Sequence, residues 1–120
     1  MLKIALHAYS SMEQTDLQAR LIQLVVDCRG WVLEEKMSSL RTYHLRFEVN
    51  LSHIAELYGA LQQVGLQFTP VAHRSLTEMC LCRKHLSESE EIQIVSIDLQ
   101  IGTIDEDQPG LQQFIRPNPV

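Results

Sequence analysis

The chain has 120 residues, 45% of them hydrophobic and 21% charged, with ten basic and fifteen acidic side chains and a formal charge of −5. That composition describes one ordinary globular domain, large enough to bury a core without metal or disulfide staples. The acidic balance opposes phosphate backbones and weighs against nucleic-acid binding unless a local basic patch overrides it; no apolar run approaches the ~20 residues that cross a bilayer.

Leu2, Ile4, Leu6 and Ala8 alternate with Lys3, Ala5, His7 and Tyr9, the period of a half-buried first strand rather than a signal segment. After a polar break, Thr15 with Gln18 fits a capping box opening a helix that carries Leu17, Leu21, Leu24, Val25 and Cys28 on one stripe. Asp16 and Arg29 suit the two ends of its dipole, and Gly30 is expected to close it in the left-handed conformation. Trp31 to Met37 reads as a second strand and Ser38–Ser39 as a turn. Tyr43, Leu45, Phe47 and Val49 then alternate with His44, Arg46 and Glu48, completing an antiparallel hairpin.

Asn50 or Ser52 caps a second helix bearing Ile54, Leu57, Tyr58, Leu61 and Val64, which Gly65 stops. Leu66 to Phe68 is a short strand, held to a sheet edge by Pro70. Ser75 and Glu78 form another capping box before a short helix, with a strand as the alternative reading of residues 75–86. Ile92 to Ile101 is a strong strand with an irregularity near Val95. One domain over 1–102 and an extended acidic, proline-containing tail over 103–120 complete the expectation.

Few residues suggest chemistry. His73, Cys80, Cys82 and His85 are ligand types that zinc prefers, but a single residue separates the cysteines where structural sites use two to four. With three cysteines, an odd count, reduced thiols and a cytoplasmic location are expected. His7, His44, Arg46 and Glu48 share the face opposite the presumed core, and adjacent first and third strands would bring them together. Such a cluster could bind a carboxylate; a solvated face or a subunit contact is the plainer reading. Tyr43 and Phe47 fall in register with Leu45 and Val49, so they are core rather than RNA-stacking aromatics. No phosphate loop, nucleophile elbow or zinc-protease motif is present, and Trp31 reads as core or interface mass.

The order strand, helix, strand, strand, helix, strand predicts an α+β fold, a ferredoxin-like βαββαβ sandwich with an added C-terminal helix/strand segment. The stretches LQARLIQLVVDCRGWVLEEKM, TYHLRFEV and LSHIAELYGALQQVG resemble an ACT-like regulatory domain over about residues 2–69. That resemblance implies a non-enzymatic domain binding a small, amino-acid-like effector at a homodimer interface, with no cofactor. It places the ligand loop at Ser10, Ser11, Glu13 and Asp16, a loop that here contains no glycine. A structural protein–protein interaction module without a small-molecule ligand is the alternative, and a zinc-binding domain a third.

Overall fold

A computed structural model gives the fold, and the description covers residues 2–39, 42–86 and 93–103. The elements in chain order are β1 (Leu2–Ser10), α1 (Gln14–Asp27), β2 (Trp31–Ser39), β3 (Thr42–Asn50), a 3₁₀ turn (Leu51–His53), α2 (Ile54–Gln63), β4 (Gln67–Phe68), α3 (Pro70–Leu86) and β5 (Ile94–Thr103). The chain is thus α+β, as expected. β2 runs on through Ser39, so the expected turn at Ser38–Ser39 is strand, and the link to β3 lies outside the described residues. Residues 104–120, including most of the expected tail, also lie outside them.

The helix ends show where local rules yielded to others. α1 begins at Gln14 without a side-chain cap; Thr15 lies inside it, and Gln18 instead donates to Glu35 on β2. At its far end the Gly30 N–H donates to the Val25 carbonyl and the Arg29 N–H to the Val26 carbonyl, the paired bonds of a Schellman closure. The left-handed residue is Arg29, with φ 61°, not Gly30. Glycine is required at position 30 for another reason: a Cβ there would sit 2.6 Å from the Glu48 carbonyl oxygen on β3. α2 closes with the same two bonds, here with Gly65 itself left-handed at φ 92°. Asn50 caps the preceding turn by accepting from the Ser52 N–H.

Residues 75–86 are helical, but α3 starts earlier than the Ser75–Glu78 box implies. Pro70 opens it, where a missing N–H costs nothing, and the Thr69 hydroxyl accepts from the Ala72 N–H. β5 shows no irregularity: its register against both neighbours is continuous, with Val95, Ile97, Leu99 and Ile101 buried.

The five strands form one sheet in the order β2-β3-β5-β1-β4. β5 runs parallel to β1 and antiparallel to β3, and β4 caps the far edge antiparallel to β1. The expected neighbours β1 and β3 are therefore separated, because the C-terminal strand is placed at the centre rather than on an edge. The physical reason lies in β5 itself. It buries four large aliphatic side chains on one face, which only a strand paired on both sides can fully shield.

All three helices lie on that face. Leu17, Leu21 and Val25 of α1, Ile54, Leu57 and Leu61 of α2, and Ala72 and Leu76 of α3 join Leu6, Leu45, Phe47, Ile97 and Leu99 in one core. Tyr43 and Phe47 are buried there, as their register predicts.

Candidate functional site

With the three described helices on one side, no described residue covers the other face of the sheet. Strand register arranges its side chains in rows. Trp31, Glu48, Ser96 and Lys3 form one row across β2, β3, β5 and β1. Glu34, Arg46, Asp98 and Ala5 form the next, and Lys36, His44, Gln100 and His7 the third. Beyond these, the ring of Tyr9 lies against Gly102, where an added Cβ would approach it to 3.0 Å.

Two large apolar side chains are left in water here. Trp31 is 44% exposed and Leu33, at the irregularity in β2, 46% exposed. Trp31 is accordingly not core; its indole N–H donates to Glu48 Oε1 at 3.0 Å, which fixes the ring over the strand pair. Arg46 holds the centre of the face, 3.5 Å from Glu34 and in register with Asp98. The ion pair is half-exposed on both sides, so it orients the guanidinium more than it stabilises the fold. A depression of about 550 Å³ is lined by Lys3, Arg46, Ser96, Glu48, Asp98 and Leu33 among others. A smaller one of about 220 Å³ lies between Arg46, Asp98, His44, Gln100, Glu34 and Lys36. Both share Arg46 and Asp98.

The sequence-predicted face residues His7, His44, Arg46 and Glu48 do lie on this surface, but they are not one cluster. Gln100 of β5 stands between His7 and His44 in the same row, which sets the two histidines roughly 10 Å apart. Asp98, Ser96 and Gln100, the β5 members, were not singled out from sequence. The signal was present in the polar alternation of SIDLQ within that strand.

In the loop after β1, Ser10 is buried and its hydroxyl accepts from the Met12 N–H at 3.1 Å. Ser11, Glu13 and Asp16 face solvent, and none of the four lines either depression. His73 and Cys80 lie on one side of α3, whereas positions 80 and 82 diverge by about 200° around a helix. The side chains of Cys82 and His85 are outside the described set. Among the described residues no group of three or more histidine, cysteine, aspartate or glutamate side chains could hold a metal ion.

Two further polar contacts lie on the helix side of the sheet. The Tyr43 hydroxyl donates to Glu35 Oε2 at 2.9 Å, and burial, then this bond and the carboxylate's charge, hold the phenol well above its ordinary range. Tyr58 contacts the His73 ring across α2 and α3 and packs edge-on against Phe68; burial raises its phenol too. His73 is exposed, and no cavity opens beside the pair among those described above, so it reads as a helix–helix tie. No described helix is long and apolar enough to cross a membrane. The chain matches no family model, no curated protein and no solved structure.

Proposed function

We propose that the chain is a non-enzymatic interaction module whose working surface is the open face of the sheet. The observation that carries this reading is the exposure of Trp31 and Leu33 beside Arg46 on a face that no described residue covers. Aromatic and arginine side chains are the groups that anchor protein interfaces. The frame is read as a ferredoxin-like sandwich, of the kind ACT-like domains use, opened to admit one more strand. In support, removing β5 leaves the order β2-β3-β1-β4 around a β-α-β-β-α-β chain.

The test is the native size of the chain in whole-cell extract, compared with a Leu33→Glu variant. The reading predicts a species well above 13.8 kDa that Leu33→Glu returns to monomer size. A monomer-sized wild type in extract, or a complex that Leu33→Glu leaves intact, contradicts it.

A second reading, an amino-acid-like effector, is favoured by one observation. The larger depression sets Lys3 and Arg46 beside Glu48, Asp98 and the Ser96 hydroxyl, charges of both signs such as a zwitterion requires. It predicts that some member of an amino-acid panel raises the melting temperature in proportion to RT ln(1 + [L]/Kd). A flat response across the panel removes it.

A further inference from the structure

Resting on the reading of the open face as an interface, we infer that its occupant is a second copy of this chain, packed sheet to sheet about a two-fold axis parallel to the strands. The axis runs between β3 and β5, so that Arg46 of each copy meets Asp98 of the other.

Charge argues for the occupant. The described residues of this face carry Lys3, Lys36 and Arg46 against Glu34, Glu48 and Asp98, an even balance on a chain whose overall charge is −5. A strongly acidic or basic partner gains little from such a surface, whereas a second balanced face can meet it without net repulsion and with opposite charges opposed at its centre. The register then offers an axis that opposes unlike charges at the centre of the face. A two-fold along the strands keeps each row on itself and exchanges β3 with β5 and β2 with β1. Arg46 comes to lie over the second copy's Asp98, twice, and Trp31 over the second copy's Lys3, a cation above an indole. A two-fold across the strands through the same row would set Arg46 against Arg46 and Glu34 against Glu34, so it is disfavoured.

Area supports the same conclusion. Four strands at ~4.8 Å spacing and about 30 Å of strand length give a face of roughly 19 by 30 Å, so two faces bury on the order of 1,100 Å². That clears the floor of ~1,000 Å² for a biological interface and lies at its weak, concentration-dependent end. Sheets packed in this way stack about 10 Å apart with strands within ~30° of alignment, a rotation that leaves the residues next to the axis opposed.

The experiment uses the purified full chain and two charge reversals, Arg46→Glu and Asp98→Arg, with size measured across a dilution series. Melting curves confirm that each variant is folded. Wild type is expected to be a concentration-dependent dimer. Each variant alone brings like charges together at the axis and should associate at least about tenfold more weakly. An equimolar mixture of the two restores opposite signs at both central contacts and should dimerise again. A wild-type monomer at every concentration overturns the inference, as does a dimer indifferent to both reversals, or a mixture that stays monomeric. A purified monomer that still enters a Leu33-dependent complex in extract overturns the second copy alone and leaves the open face as an interface for another protein.

Discussion

At the scale of single residues, the two helix endings differ by one substitution that physical chemistry can price. Arg29 and Gly65 occupy equivalent left-handed positions in matching Schellman closures. A side chain with a Cβ is strained there, and glycine is not. Arg29→Gly should therefore raise stability by about 0.5–1 kcal/mol in denaturant unfolding, the relief of strain outweighing the added freedom of the unfolded chain. Gly30→Ala should lower it by about 1–3 kcal/mol, because the new methyl meets a backbone carbonyl that cannot move aside. From sequence the two adjacent roles could not be separated: a glycine after a helix is read as the left-handed cap, and only the packing of β3 against position 30 reveals its other use.

Tyr43 gives a pH-dependent counterpart. Its phenol titrates above the ordinary value near 10, so between that value and the folded one the native state holds a proton that the unfolded state has released. Stability from this group is complete below pH 10 and falls as pH rises beyond it. Tyr43→Phe loses the bond to Glu35 and should be less stable at pH 8 by about 1–2 kcal/mol. The gap between the two proteins should narrow as unfolding is measured from pH 9.5 to 11. Cys28, raised chiefly by burial, titrates in both proteins and cancels in the difference. A gap that stays constant across that range would contradict the assignment.

At the scale of elements, most of the chain was legible because apolar periodicity is a local signal. β1, α1, β3 and α2 lie where their stripes place them, and the two-residue β4 sits on the edge that Pro70 foretells. What sequence could not give was which strands are neighbours, since alternation states which face is buried and not what lies beside it. The edges did leave marks. β2 carries Glu34, Glu35 and Lys36, charges of the kind that guard exposed edges, and β4 is very short. β5 pairs IVSIDLQI with both neighbours and has one charged residue, Asp98, the profile of a central strand. The candidate face followed the same pattern: its β1 and β3 members were legible, whereas its β5 members were missed because that strand, itself legible, was not placed between β1 and β3. A chain ended at residue 92 should consequently fail to fold cooperatively, with no sigmoidal thermal transition. If β5 were an edge addition, that truncation would leave a folded, less stable domain.

At the scale of the whole molecule, the described helices stand on one side of the sheet and the open face, the proposed interface, on the other. The core explains why the chain folds; the rows of Lys3, Arg46, Asp98 and Trp31 are the side chains that the proposed interface would present. Trp31 is the only tryptophan in the sequence, and it lies on that surface, 44% exposed in the single chain. Its fluorescence is thus a direct report on whether the face becomes covered. The central measurement is the emission maximum of the purified wild-type protein across a dilution series, with Arg46→Glu as the control. The account predicts a blue-shifted maximum at high concentration that moves red on dilution, while Arg46→Glu stays red at concentrations where wild type has shifted. A maximum that does not change with concentration would contradict it.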